Sequence, residues 1–421
     1  MKLAIFVVFT MLTFVVHSSE WQMFDRRLGM FIHWGIYSVD GWHEQQEMRK
    51  GMSRAEYERC SERFMADKFD ACALVGVAES VGAEYIVFTA KHHDGFCMWN
   101  TATTSFKVTN TPAKRDILAE LATACRKRGM KLGLYYSNPD WHHPSAHNEK
   151  SSHQISLQPG DEPDMEKYIA YVKAQVTELL SNYGEIVCFF WDIPTKIDRP
   201  EMDGLVRQLQ PGIMINNRGW GNLDTCDYST PERSRVTGGM CGRHVEACDS
   251  IGVQSWGYRA DEDYRTTRYL TGRIDQYLSR GGNFLLNVGP KQDGTIPAEA
   301  ASLLGKVGAW YSRVRESYKS VETETNYVYD SSCIVTRRGG DVYLHYPNGL
   351  SATGVDLAPL DVLPTYVTLL NTGEHVTFSI DMMPRNYSRG GLRRPTLHLS
   401  DIPADALSGE AVVIKLSCKS N

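Results

Sequence analysis

The sequence predicts an α/β fold: a (β/α)8-like barrel followed by a C-terminal antiparallel β-sandwich. Three observations carry this. From Met30 to about Pro290, short β-branched and aromatic runs alternate with longer stretches of helical periodicity, the pattern of repeated βα units around a parallel sheet. Several of these runs are apolar on both faces, as burial inside a barrel or a doubly wound sheet requires. From about Thr325 onward the runs become short and alternating, punctuated by Gly, Pro and Asn, as paired antiparallel sheets are. Residues 1–19, 20–322 and 323–421 are accordingly read as a leader, a barrel domain and a sandwich domain, with the boundary in the polar stretch Ser320–Asn326.

The barrel strands are expected at Met30–His33, Tyr85–Lys91, Lys131–Tyr136, Ile186–Trp191, Gly212–Asn216 and Phe284–Val288. Between them, Asp116 introduces a helix over Ile117–Arg128 and Asp164 one over Met165–Ser181, each acid placed to accept from the free N–H groups of a first turn. The sandwich strands are expected at Ile334–Arg337, Val342–His345, Tyr366–Leu370, Thr396–Leu399 and Ala411–Leu416. The segment holding Cys226, Cys241 and Cys248 is Gly-rich and reads as poor in strands, and a disulfide there would staple a loop.

At the N-terminus Lys2 precedes an apolar run from Leu3 to Val16 and then Ser18 and Ser19, a secretory signal pattern that predicts a secreted or lysosomal protein. The run falls short of the roughly 20 residues a bilayer span takes, and no later stretch approaches that length, so no membrane anchor is expected. Ten cysteines on an oxidising route predict some disulfides, and Asn386-Tyr387-Ser388 is a glycan acceptor. With 45 Lys+Arg against 50 Asp+Glu the formal charge is −5, which offers no footprint for a polyanion and excludes nucleic acid as a partner. Nine Trp and 21 Tyr supply the flat, hydrogen-bonding side chains that sugar clefts favour, though large cores use them too.

Chemistry collects where strands end. His33 follows the first run, His92-His93-Asp94 the second, Tyr136 ends the third, Asp192 follows the fourth and Asn216-Asn217-Arg218 the fifth. In a (β/α)8 barrel the C-terminal strand ends share one mouth, so these groups would converge there. Singly, each has a duller reading: His33 as a core histidine, Asp192 as a helix cap, Arg218 as a surface cation, Tyr136 as a core residue. A carboxylate ringed by His, Arg and aromatic groups suits displacement at a sugar's anomeric carbon, and a retaining glycosidase needs a second carboxyl roughly 5–5.5 Å away. Glu232 and Glu246 both qualify.

Four blocks then carry a family likeness: GMFIHWGIYS at Gly29–Ser38, EYIVFTAKHHDGF at Glu84–Phe96, SWGY at Ser255–Tyr258 and NFLLNVGP at Asn283–Pro290. They resemble the α-L-fucosidases of glycoside hydrolase family 29, and the likeness runs from about Trp21 to Val321. The resemblance implies a catalytic barrel followed by a β-sandwich, a retaining exo-hydrolase that removes terminal α-linked L-fucose from glycans and glycoproteins, and no cofactor or metal. It implies Asp192, in Phe190-Trp191-Asp192, as nucleophile. His33, His92, His93 and Glu44 would hold the fucose hydroxyls with Tyr136 and Phe190 beside them, Arg218 would reach the sugar, and Trp256 would wall the C6 methyl. Glu232, in Thr-Pro-Glu, is the preferred acid/base over Glu246, which stands in the family's Trp-Glu-x-Cys position with Val245 replacing the Trp. Relatives often associate, so a homo-oligomer is among the expected partners. Two rivals stand beside this: a metal-dependent hydrolase using His92, His93, His142 and His143, and a catalytically silent, fucose-binding relative.

Overall fold

The computed structural model describes residues 22–221, 226–234, 244–324, 332–358, 362–381 and 396–418. The apolar N-terminal run, the Asn386 sequon and Cys241 lie outside the described residues.

In chain order the first part comprises β1 (Leu28–Ile32), α1 (Gln46–Lys50), α2 (Arg54–Glu58), α3 (Ala71–Val81), β2 (Tyr85–Lys91), α4 (Ile117–Arg128), β3 (Lys131–Ser137), α5 (Met165–Asn182), β4 (Cys188–Asp192), α6 (Glu201–Leu209), β5 (Met214–Ile215), β6 (Tyr228–Ser229), β7 (His244–Ser250), α7 (Thr267–Leu278), β8 (Asn283–Val288) and α8 (Ala298–Val314). The eight strands pair in parallel in the order β5-β4-β3-β2-β1-β8-β7-β6. A parallel bridge between Asn216 and Tyr228 links the two end strands, so the sheet curls into a ring. Asp116 and Asp164 cap α4 and α5 as expected, accepting from Ala119 N–H and from Glu166 and Lys167 N–H; Asp70 and Thr266 do the same for α3 and α7. Each such cap contributes about 1 kcal/mol.

Period-two alternation sorts each strand between two cores. Phe31, Val87, Tyr135, Cys188, Phe190, Cys248 and Leu285 fill the barrel interior. Met30, Ile32, Ile86, Phe88, Leu134, Phe189 and Trp191 face the surrounding helices. The interior is tight enough that a Cβ on Gly133 would come within 2.3 Å of Cys188 Sγ. Here β3 approaches β4 as only glycine allows.

The second part holds β9 (Glu322–Glu324), β10 (Ile334–Arg338), β11 (Asp341–Tyr346), β12 (Val355–Leu357), β13 (Pro364–Leu369), β14 (Thr377–Asp381), β15 (Thr396–Ser400) and β16 (Val412–Cys418). A five-stranded sheet, β13-β16-β11-β10-β9, and a three-stranded one, β12-β15-β14, share a core of Val335, Leu344, Val367, Leu397, Leu399 and Ile414. The sandwich is tied to the barrel by buried polar bonds: Trp310 Nε1 donates to Ala411 O at 2.9 Å, and His345 Nδ1 meets Asp275 Oδ1 at 2.7 Å.

Two expectations need correction. The segment from Cys226 to Cys248 is not strand-poor, because it supplies β6 and β7. Its strand β7, HVEACDS, reads as polar because its acids are buried against single tyrosines: Glu246 Oε2 accepts from Tyr85 inside the barrel and Asp249 from Tyr269 outside. Cys248 carries a free thiol in the barrel interior, placed by packing rather than by a disulfide, and Cys60, Cys72, Cys97, Cys125, Cys188 and Cys418 are likewise thiols.

Candidate active site

The barrel mouth is built from strand ends. Asp192 closes β4 in register with Ser137 of β3, and it is 8% exposed. Its Oδ2 accepts from the Tyr135 hydroxyl at 2.7 Å and its Oδ1 from Arg218 Nη1 at 2.9 Å, while His93 Nε2 stands 3.8 Å from Oδ2. Burial pushes this carboxyl up; the Arg218 charge, His93 and the Tyr135 hydroxyl outweigh it and hold it below the ordinary range. The chain after it is strained: Ile193 is β-branched and sits at φ +58°, a conformation costing on the order of 1–3 kcal/mol. Asn138 Nδ2 holds that turn by donating to both Ile193 O and Arg218 O, at 2.9 and 2.8 Å.

Arg218 joins Asp192 to Glu232. Nη1 donates to Asp192 at 2.9 Å and to Glu232 Oε2 at 3.1 Å, so by the triangle rule these two oxygens lie no more than about 6 Å apart. Glu232 belongs to a short bridge alongside β7 and not to a free loop: it pairs with Cys248, whose N–H donates to Pro231 O and whose carbonyl accepts from Arg233 N–H. Its side chain is 41% exposed, at the rim.

Three histidines, each no more than 5% exposed, line the floor. Asn287 Nδ2 donates to Ser250 Oγ and Trp256 O, which turns its Oδ1 toward His33 Nδ1 at 2.6 Å. His33 therefore donates from Nδ1 and offers Nε2 as an acceptor. His93 is fixed the same way: Ser137 Oγ donates to Pro139 O, so its lone pair receives Nδ1–H at 2.7 Å. Burial is the main cause that lowers both rings to about 4. His92, which burial and the neighbouring histidines also hold well below the ordinary histidine value, stacks on Tyr135 at 5.6 Å and 10°. Neutral imidazoles so arranged exchange hydrogen bonds with hydroxyls.

One wall comes from the β7–α7 loop. Glu44 Oε2 accepts from Ser255 Oγ at 2.5 Å and from the N–H groups of Trp256 and Gly257 at 3.0 and 3.3 Å. That oxygen organises the Ser-Trp-Gly turn, and Oε1 takes none of these bonds. Burial raises the Glu44 carboxyl, but His43 and Ser255 bring it below its ordinary value. The Trp256 ring lies 5.2 Å from His33 and 6.2 Å from Phe31, with Arg233 4.9 Å over it. Phe190 lies beneath, 5.3 Å from Phe31 and 5.6 Å from the Arg218 guanidinium.

The sequence model described as Alpha-L-fucosidase matches residues 15–316 of the chain. The chain belongs to this family, glycoside hydrolase family 29. It is 28% identical to the tissue alpha-L-fucosidase of Homo sapiens over 414 residues, 87% of this chain and 86% of that one. Among solved structures it is similar to alpha-L-fucosidase isoenzyme 1 from Paenibacillus thiaminolyticus, with a TM-score of 0.79, 30% identity, and 94% and 97% of the two chains covered. It is also similar to a GH29 alpha-L-fucosidase from Bacteroides thetaiotaomicron solved as a trapped covalent intermediate, with a TM-score of 0.77, 25% identity, and 94% and 95% covered. The chain is thus a glycoside hydrolase of the α-L-fucosidase type, with the family's barrel and C-terminal β domain.

Of the residues expected in this fucosidase's site, Asp192, Glu232, His33, His92, His93, Glu44, Arg218, Phe190 and Trp256 gather at one mouth. Tyr136 does not. Alternation turns it outward, where its hydroxyl donates to Gln175 at 2.6 Å and Lys91 lies 4.4 Å over its ring. Its neighbour Tyr135 takes the inner place. Pairing of β2 with β3 slips between Thr89 and Lys91; Lys91 leaves the interior to pair with Asp140 at 2.8 Å, and His92 and His93 cross the mouth.

Glu246 lies at the other end of the barrel. It pairs with Asn283, the first residue of β8, and accepts from Tyr85, the first residue of β2. Burial raises its carboxyl to about 8. Its place at that end, with Oε2 taken by Tyr85, keeps it apart from the mouth where Asp192 and Glu232 stand. His142 and His143 also go elsewhere: the first stacks on Phe106 and meets Glu58 at 2.7 Å, the second packs on Tyr171. Sequence reasoning missed Tyr135, Ser137 and Asn287. Strand parity finds Tyr135, because it is separated by two from Gly133, which must face Cys188.

Proposed function

We propose that the chain is a retaining exo-α-L-fucosidase that releases terminal α-linked L-fucose from glycans and glycoproteins through a glycosyl-enzyme intermediate. Asp192 is the nucleophile and Glu232 the acid/base. The observation that carries this is the single guanidinium nitrogen shared by the two carboxylates, which bounds their separation near the distance that retention requires. The covalent intermediate trapped in the Bacteroides relative supports the same stereochemistry.

Asp192, ionised and aimed by Tyr135 and Arg218, attacks the anomeric carbon as protonated Glu232 gives its proton to the departing glycosidic oxygen. The C1–O bond breaks, a carboxylate–C1 bond forms, and the aglycone leaves as an alcohol. Glu232, now ionised, takes a proton from water, whose oxygen displaces Asp192 and returns fucose with its configuration kept. His33, His92 and His93 bond the hydroxyls, Glu44 holds the wall loop with one oxygen and faces the sugar with the other, and Trp256 meets the C6 methyl. We further propose that the N-terminal apolar run routes the protein to secretion or to the lysosome; no helix among the described residues is long and apolar enough to cross a membrane.

The test uses an aryl α-L-fucoside. Asp192→Asn is expected to lower kcat by at least about 10³-fold, and Glu232→Ala by about 10²–10⁴-fold. Azide should restore turnover of Glu232→Ala. Full activity of Asp192→Asn, or inversion at C1 in the first-formed fucose seen by NMR, would overturn the reading. Fucose binding without any turnover by the wild type would favour the silent relative.

A further inference from the structure

The loop between β3 and α5 brings a fourth imidazole to the mouth, which sequence reasoning left without a role. The ring of His153 lies 5.2 Å from that of His93, which itself stands 3.8 Å from Asp192. The loop is pinned on several sides. The His153 carbonyl accepts from Trp141 Nε1 at 2.8 Å and its N–H donates to Ser151 Oγ at 3.2 Å. Asn148 Nδ2 donates to Thr195 O in the loop after β4 at 2.9 Å, and Arg54 pairs with Asp161 at 2.5 Å.

His153 is half-buried where His33, His92 and His93 are buried, which puts it at the rim and not on the floor. Nδ1 is taken by Ser152 Oγ at 3.0 Å; Nε2 has no hydrogen bond among the described residues. Burial lowers its pKa, and the charges of Asp192 and Glu232, both close enough to act on it, oppose that. Around the ring β3, β4, β5 and β6 are consecutive, so His153 and Glu232 flank Asp192 and Arg218 from the two sides.

We propose that His153 determines aglycone specificity: its Nε2 hydrogen-bonds a hydroxyl of the sugar to which the fucose is attached. This rests on the reading of Asp192 and Glu232 as the reacting pair. The leaving oxygen lies at Glu232, so whatever it carries must pass outward over the rim, and the ring nitrogen standing there unpaired is His153 Nε2. A sugar aglycone brings hydroxyls to it, whereas an aryl group brings none, so the residue separates the two substrate classes.

The experiment compares kcat and KM of wild type, His153→Ala and His153→Gln on 4-nitrophenyl α-L-fucoside, 2′-fucosyllactose and α-1,6-fucosyl-N-acetylglucosamine. The proposal expects His153→Ala to lose about tenfold or more in kcat/KM on one or both saccharides, mainly through KM, as a hydrogen bond's removal does. It expects the aryl substrate to stay within about threefold, and Gln to recover part of the loss. Equal loss on all three substrates would overturn it by placing His153 in the fucose pocket or the fold, and unchanged kinetics on both saccharides would overturn it as well. Failure of the underlying catalytic reading shows separately, as wild type that leaves 4-nitrophenyl α-L-fucoside intact.

Discussion

Tyr135 and Tyr136 adjoin in the chain, and the pleat sends one to Asp192 and the other to Gln175. Tyr135→Phe removes a hydroxyl that stabilises the ionised Asp192, so it should cost about tenfold in kcat/KM on an aryl fucoside and raise the acidic limb of the pH profile. Tyr136→Phe should change kcat/KM by less than about threefold. A reversed pattern would put β3 in the wrong parity. Glu246 offers a second contrast. Its folded carboxyl, at about 8, lies above its ordinary 4.5, so the folded state holds a proton that the unfolded chain has lost, and stability declines as pH rises from about 4.5 to about 8. Glu246→Gln should remove that decline, gaining in Tm over wild type as pH rises through this window and levelling above it, with turnover kept. At this scale the sequence was legible where one residue type has few uses: Asp192 after an apolar run, His33 and His92-His93 at strand ends. It was illegible where two like residues stand side by side, since only the partner strand decides which faces in. Glu232 was preferred to Glu246 on its Thr-Pro-Glu context and not on position, because both are glutamates near Cys248 and only the barrel's height, one at the mouth and one at the base, separates them.

Among the elements, β2 and α4 matched their expected limits to the residue, because apolar runs bounded by turns and an Asp cap are local signals. The strands β6 and β7 were missed because their polar side chains are paid for by distant partners: Tyr85 is 161 residues from Glu246. The sandwich strands β12 and β14 were missed for their brevity and mixed composition. The turn after β4 carries its own prediction. Ile193 is held left-handed to aim Asp192 and is tied by Asn138. Ile193→Gly relieves the backbone strain and should cost little stability or add up to about 1 kcal/mol in urea unfolding, offset by the lost side chain. A freer turn should at the same time lower kcat, because Asp192 would be aimed less firmly. A large loss of stability would show that the turn is not strained in solution.

For the molecule as a whole, one buried cluster couples the barrel to the sandwich. Asp275 of α7 accepts from Tyr318 and from His345 of β11, and His345 reaches Thr336 of β10 at 3.0 Å. Removing His345 by substitution with Ala leaves Asp275 buried without that partner and should cost about 3–5 kcal/mol in urea unfolding; a cost below about 1 kcal/mol would mean that this cluster adds little to the join. The histidines of the mouth set a second global property. His33 and His93 titrate near 4 in the folded state against an ordinary 6.5. The unfolded chain therefore binds more protons between these values, and their contribution lowers stability as pH falls from about 6.5 to about 4. The barrel-and-sandwich architecture was legible from the change of period near Thr325, whereas the join was not, because each of its residues is unremarkable in its own strand or helix.

In the proposed reaction Asp192 bonds the anomeric carbon. Incubation with 2-fluoro-fucosyl fluoride followed by peptide mass spectrometry should then show one 2-fluoro-fucosyl adduct, on Asp192, that water removes slowly, and an adduct on Glu232 or on any other carboxyl would rule Asp192 out as nucleophile.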